Sequence, residues 1–130
     1  MATPDFDEAF RLREAVREFT SRSSAIVRLH GLTLEQYQLL LLLRVWPREQ
    51  ATIGNLYTAL HRGQSAVTQL ARRMENRGLI SRELSRSDAR VRYLRLTKRG
   101  EQQLSDAVVA LRGERNRLLD LVAGLGTTAN

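Results

Sequence analysis

Residues 63–97 read GQSAVTQLARRMENRGLISRELSRSDARVRYLRLT, and the order of patterns within them decides the fold. From Gln64 to Arg77, the apolar residues Val67, Leu70, Ala71 and Met74 recur at helical spacing and make one inward face. The opposite face carries Gln64, Ser65, Thr68, Gln69, Arg72 and Arg73, side-chain types that hydrogen-bond base edges and phosphates. Gly78 stands where a helix ends on a left-handed residue. Leu79–Leu84 and Val91–Leu96 then read as two strands around the polar loop SRSDAR. In the second strand Leu94 and Leu96 share an inward face, which Arg92 continues toward the exposed tip. A polar-faced helix followed by a basic hairpin is the second half of a winged helix-turn-helix.

Upstream, Ile53 to Leu60 reads as a short helix with Ile53, Leu56 and Leu60 on one side, joined to the polar-faced helix by the turn His61-Arg62-Gly63. Before it, Thr33 and Gln36 have the spacing of a capping box, and Leu32 and Tyr37 that of a hydrophobic staple. The following run Leu39–Leu43 is apolar on every side, which places this helix at the domain centre. Trp46-Pro47 stops it, since proline restricts its predecessor and lacks the amide needed to continue.

The terminal segments are long helices. The first is expected over Pro4 to Leu29, with Thr3 as cap and Asp5, Asp7 and Glu8 at the positive end of the dipole. Its stripe is Ala9, Leu12, Val16, Phe19 and Ile26, broken at Ser23 and widened by Phe6 and Phe10. One narrow stripe on a long helix suits packing against another helix, in this subunit or in a second. His30-Gly31 ends it. Thr97 caps the last helix, which starts at Lys98 and carries Leu104, Val108, Leu111, Leu118, Val122 and Leu125, with Arg115 interrupting and Gly113 able to bend it. The tail GTTAN is expected to fray. The expected architecture is therefore a single domain over residues 1–130, mainly α with a small β-hairpin wing (α+β).

Charge is concentrated where the wing is. Between Arg62 and Arg99 stand eleven bases against Glu75, Glu83 and Asp88, while the rest of the chain holds ten bases and eleven acids. All of the net +7 charge thus arises in one contiguous third of the chain, the footprint of a polyanion-binding module on a neutral scaffold. Arginines beside the polar-faced helix can enter a narrow minor groove, where negative potential is concentrated. A lone aspartate at the tip then serves as an orienting partner for arginine.

Other chemistries find little in these residues. There is no cysteine, which excludes disulfides, thiolate metal sites and thiol redox sensing within the 130 residues. The two histidines, His30 and His61, are far apart and give a metal site no support. No nucleophile elbow, phosphate loop or metal motif surrounds the serines and aspartates, so no catalytic residue and no cofactor is expected. The start MATPDFDEAF lacks the regions of a signal peptide, and the longest apolar run is too short to span a bilayer. A cytoplasmic protein is the expectation.

The segment Gly63–Leu104 resembles the signature of MarR-type transcriptional regulators. The matching pieces are Gly78-Leu79, Arg82, Asp88-Ala89-Arg90 and Leu96-Thr97-Lys98-Arg99-Gly100, and the upstream LTLEQYQLLLLL is similar to the family's second helix. The resemblance covers roughly residues 5 to 124. It implies a winged helix-turn-helix lobe over 33–97 and a homodimer built on helices 4–30 and 98–125. It also implies a pseudo-palindromic operator in double-stranded DNA and repression lifted by a small aromatic or phenolic acid bound between dimer region and lobe.

On that reading Arg90 enters the minor groove and Asp88 holds the wing arginines. Gln64, Ser65, Thr68 and Gln69 read bases, while Arg72, Arg73, Arg86 and Arg92 grip phosphate or brace the hairpin. Arg95, near the strand's base, is a structural candidate. Tyr37, Trp46 and Tyr57 are the candidate effector-pocket aromatics, with core packing as the competing reading of Tyr37 and Trp46. For Asp88 the competing reading is a turn former. This chain has Tyr57 where the family prefers alanine and His61 where it often has glycine. The alternative function is a winged-helix module for protein interaction or RNA binding without operator specificity.

Overall fold

Two helix ends closed by glycine organise the chain. The first helix, α1 (Phe6–Leu29), stops at His30, with Gly31 at φ +76°. There the amides of Gly31 and Leu32 donate back to the carbonyls of Arg28 and Val27, both at 3.0 Å. The recognition-helix candidate, α4 (Gln64–Asn76), stops at Arg77, with Gly78 at φ +73°. Its last turn is closed by Gly78 N–H to Glu75 O at 2.9 Å and Leu79 N–H to Met74 O at 3.0 Å. Both are Schellman motifs, in which a left-handed residue lets the chain satisfy the last carbonyls and turn away. Leu32 and Leu79, the residues after the two glycines, are buried in the core.

The computed structural model describes residues 3–127. After α1 come α2 (Leu34–Val45), a 3-10 turn (Arg48–Gln50), α3 (Ile53–Leu60), α4, the strands β1 (Ile80–Leu84) and β2 (Arg92–Leu96), then α5 (Lys98–Ala110) and α6 (Arg112–Thr127). The strands pair antiparallel from Ile80 opposite Leu96 to Leu84 opposite Arg92. The architecture is thus mainly helical with a hairpin wing. Its core gathers Leu39 and Leu40 of α2, Leu56 of α3, Val67, Leu70 and Met74 of α4, and Leu79, Leu94, Leu104 and Leu111. Of the apolar run of α2, Leu39 and Leu40 lie at the centre and Leu42 and Leu43 pack partly buried against it, whereas Leu41 is exposed. Its capping box is complete, with Gln36 N–H on Thr33 Oγ1 at 3.1 Å and Thr33 N–H on Gln36 Oε1 at 3.0 Å.

The start of α5 shows why threonine and glycine stand three apart. The Thr97 hydroxyl accepts from Gly100 N–H at 3.0 Å and donates to Gly78 O at 2.6 Å, tying the helix start to the end of α4. Gly100 is packed so closely that a Cβ there would lie 2.0 Å from the Leu79 carbonyl oxygen. Only glycine fits that approach, because the obstacle is backbone.

Several boundaries differ from the sequence reading. The cap of α1 is Asp5, not Thr3: its carboxylate accepts from Glu8 N–H at 2.9 Å, and Pro4 lies outside the helix. The stripe of α1 also divides into two faces. Ala15, Ser23 and Val27 are buried, whereas Phe6, Phe10, Leu12 and Val16 stand exposed. The last helix is two helices, breaking at Leu111 and not at Gly113. Arg115 reaches back over this break and donates to Val108 O at 2.7 Å, which covers a carbonyl that the interrupted helix leaves open. Each strand is one residue shorter than expected. The segment after Pro47 adds an edge to the wing, through Leu94 N–H to Ala51 O at 2.8 Å and a bridge between Thr52 and Tyr93. Of the tail GTTAN, residues 128–130 lie outside the described residues.

Candidate nucleic-acid interface

The amphipathic pattern of α4 places its polar side in solvent. Val67, Leu70, Ala71 and Met74 are buried, and Gln64, Ser65, Gln69, Arg72 and Arg73 are exposed. Gly63 caps the helix without a side-chain hydrogen bond, so the first amides of α4 point outward unfilled. The side chains of Arg72 and Arg73 make no ion pair or hydrogen bond among the described residues. Thr68 behaves differently from its neighbours. It is half-buried, and its Oγ1 lies 3.4 Å from the hydroxyl of Tyr57 on α3.

The wing tip is a built turn. Asp88 Oδ1 accepts from Arg90 N–H at 3.0 Å and from Arg90 Nε at 3.3 Å, while Oδ2 faces Nη2 at 3.5 Å. The two readings of Asp88 therefore combine: the same carboxylate forms the turn and orients one guanidinium. Arg90's hydrogen bonding, from the backbone first and then the side chain, holds the Asp88 carboxyl below the usual carboxylate range. Ser85 braces the other side, its hydroxyl accepting from the amides of Ser87 and Asp88, both at 3.3 Å. Arg90 nonetheless projects, its side chain 91% exposed. Asp88 does not reach Arg86 or Arg92, both of which are exposed and without a partner among the described residues.

The wing base uses the same residue type for a different purpose. Arg95 donates to Glu83 at 2.9 Å and to Arg48 O at 3.4 Å, and its guanidinium lies 5.5 Å from the centre of the Tyr93 ring. Arg82 donates to Glu75 of α4 at 2.7 Å. These arginines are held by the protein itself, as was expected for Arg95.

Between the wing, α4 and the start of α3 lies a cleft of about 440 Å³, with Thr52, Gly54, Thr68, Arg82, Arg90 and Arg92 on its walls. The fold brings Thr68, Arg90 and Arg92 of the expected set together here, leaving Arg72, Arg73 and Arg86 on the flanks. Arg82 as a wall of this cleft was missed by the sequence reading. Strand alternation held the signal, because Arg82 opposite Leu94 and Leu84 opposite Arg92 put Arg82 and Arg92 on one face.

The three candidate pocket aromatics are not gathered. Tyr37 is buried and Trp46 half-buried in the core cluster, and Tyr57 is occupied with Thr68. Burial raises the Tyr37 phenol above its ordinary pKa, opposed by the nearby Arg115 guanidinium. None of the three lines the cleft beside the wing. No helix among the described residues is long and apolar enough to cross a membrane.

Residues 32–91 match the sequence model of the MarR family. A similar relative is the organic hydroperoxide resistance transcriptional regulator of Bacillus subtilis (strain 168), 33% identical over 91 residues. That alignment covers 70% of this chain but 60% of the relative, so the chain matches less than two thirds of that protein's length. Among solved structures, a complex of S. aureus MepR with DNA superposes at a TM-score of 0.75 with 22% identity, over 89% of this chain and 85% of MepR. AbsC, a MarR family transcriptional regulator from Streptomyces coelicolor, superposes at 0.72 with 25% identity, over 99% of this chain and 95% of AbsC.

Proposed function

We propose that this chain, whose residues 32–91 match the MarR family, is a sequence-specific double-stranded-DNA-binding transcriptional regulator. It acts as a homodimer on a pseudo-palindromic operator. The observation that carries this reading is the sorting of the arginines. Those at the wing base and at the end of α4 are paired to acids or carbonyls, whereas Arg72, Arg73, Arg86 and Arg92 are left unpartnered around an exposed polar helix face. Unpaired cations on one surface are a standing attraction for a polyanion.

In this reading Gln64, Ser65, Thr68 and Gln69 face base edges in the major groove, and Arg72 and Arg73 hold flanking phosphates. Arg90, oriented by Asp88, enters the minor groove, with Arg86 and Arg92 on the backbone beside it. The second copy is called for by the exposed apolar residues of α1 (Phe6, Phe10, Leu12 and Val16) and α6 (Leu119, Leu121 and Val122), which a monomer would leave in water.

Repression is lifted by a small aromatic or phenolic acid. A cleft of about 430 Å³ between α1 and α2, lined by Thr20, Ser21, Ser24, Ala25, Arg28 and Leu34, offers a cation and hydroxyls to such an acid. With no cysteine in these residues, thiol oxidation is not the signal they read.

The test is selection of bound duplexes from a genomic pool by the purified protein, repeated with aromatic acids present. Recovery of one pseudo-palindromic motif, weakened by one of the acids, is expected. Recovery of no motif, or preferential retention of RNA, would favour the module without operator specificity.

A further inference from the structure

The two Schellman turns are joined to each other by a side chain. Arg77, the residue that closes α4, spreads its guanidinium across two other elements. Nη2 donates to the Gly31 carbonyl at 2.7 Å, and Nη1 donates to Gln36 Oε1 at 3.0 Å. The Gly31 carbonyl is free to accept because the left-handed residue has turned the chain out of α1. Gln36 Oε1 is the acceptor that already caps α2 through Thr33 N–H. The neighbouring carbonyl, His30 O, accepts from Gln103 Nε2 of α5 at 2.8 Å.

Consecutive carbonyls at the exit of α1 are therefore held by two different elements, the recognition helix and α5. Otherwise α4 packs chiefly on α3 and β1, inside its own lobe. Arg77 ties its end directly to the exit of α1, the arm helix, beside the Thr97 hydroxyl that ties the same end to α5. A guanidinium suits the task, since its fixed fork addresses two acceptors at once and charge-assisted bonds are the stronger ones. Gly31 is confined by the same junction: a Cβ there would meet Gln103 Nε2 at 2.9 Å and Arg77 Nη2 at 3.5 Å.

We propose that Arg77 is a positioning residue for operator recognition: without touching DNA, it fixes the recognition helix to the arm and so sets the distance between the two recognition helices of the dimer. This rests on the dimeric regulator proposed above. Movement of α1 against α5 must break the Arg77 or the Gln103 tie, so the junction relays a change in the arms to the reading heads.

The chain has no cysteine, so Ala66→Cys, on an exposed position of α4, gives one spin-label site per protomer. The distance distribution between the two labels is then compared for otherwise native protein, Arg77→Met, Arg77→Lys and Gln103→Leu. The proposal expects a narrow distribution in the native dimer, a broadened or shifted one in Arg77→Met, partial recovery in Arg77→Lys and a smaller change of the same kind in Gln103→Leu. Unlabelled Arg77→Met should lose roughly five- to tenfold of its preference for the native half-site spacing over operators lengthened or shortened by one base pair, a change typical of coupling between sites.

A lowered melting temperature with an unchanged distribution and unchanged spacing preference would show Arg77 to be merely structural and overturn the proposal. If Arg77→Met does not fold, an unchanged distribution in both Arg77→Lys and Gln103→Leu overturns it equally. A native dimer with no spacing preference on any duplex would instead sink the regulator reading, while the label distances would still decide the tie.

Discussion

The surface of α4 and the wing, and the arm helices α1 and α6, are both left unfinished by the fold, but in opposite chemical terms. On α4 and the wing the unsatisfied groups are cations and amides, with Arg72, Arg73, Arg86 and Arg92 unpartnered among the described residues. On α1 and α6 they are apolar, with Phe10 at 64% and Leu119 at 66% exposure. Across α1 and α6, by contrast, charges meet in pairs: Glu18 bonds Arg117 at 2.9 Å and Arg22 stands 3.8 Å from Glu114, while the Arg13, Arg28 and Arg112 side chains stand outside such pairs among the described residues. A surface that leaves large apolar groups bare suits another protein surface. One whose apolar groups are buried and whose charges are bare suits a polyanion. The contrast supports the two proposed partners separately, and it can be broken separately.

The largest effect should come from the arms. Phe10→Glu combined with Val16→Glu puts charge into the apolar face, and sedimentation should then show monomer. Duplex affinity should fall by roughly 10²–10⁴-fold as the second half-site contact is lost, with the lobe still folded. A double variant that stays dimeric would show that this face is not the interface.

Next comes Arg90→Ala, which should weaken duplex binding by about 1–3 kcal/mol and leave dimerisation and melting temperature as they were. Unchanged affinity would remove Arg90 from the site. The wing base should respond the other way round. Arg95→Ala breaks the ties to Glu83 and Arg48 and should cost about 1 kcal/mol of stability, with little change in duplex affinity. A strong loss of affinity there would erase the distinction between tip and base.

The smallest effect concerns pH. The Asp88 carboxyl is held low by Arg90, so its contribution is present above the ordinary carboxylate range and disappears only as pH falls through its lowered pKa. The tip turn should therefore persist through neutral and mildly acidic solution. Carboxyl-carbon NMR checks this, and an ordinary Asp88 titration would contradict it.

The elements most legible in the sequence were those fixed by local chemistry. The bounds of α3 and the Thr33–Gln36 box follow from caps and spacing, and Gly78 as the left-handed end of α4 follows from its lack of a Cβ. What escaped depended on distant contacts. The two faces of α1 could not be separated, because which apolar residues turn inward is decided by α6 and α2 and not by α1 itself. The break at Leu111 lies beside a glycine that looked the better hinge, and the Arg115 cap over Val108 is invisible to local pattern. The edge at Ala51–Thr52 is too short to show alternation. For the site, exposed polar positions on α4 and the tip were readable, whereas Arg82 in the cleft required the strand register. The junction at Gly31 joins residues 46 apart in sequence, and nothing in either segment alone announces it.

The central claim is that bare cations on α4 and the wing recognise one DNA sequence. Affinity for the selected duplex and for a shuffled duplex of equal length, measured across a salt series, tests it most directly. Both affinities should fall steeply with salt, since each subunit neutralises several phosphates. At physiological salt the selected duplex should still be preferred by roughly 10³-fold or more. Equal affinity for the two duplexes at every salt concentration would contradict it.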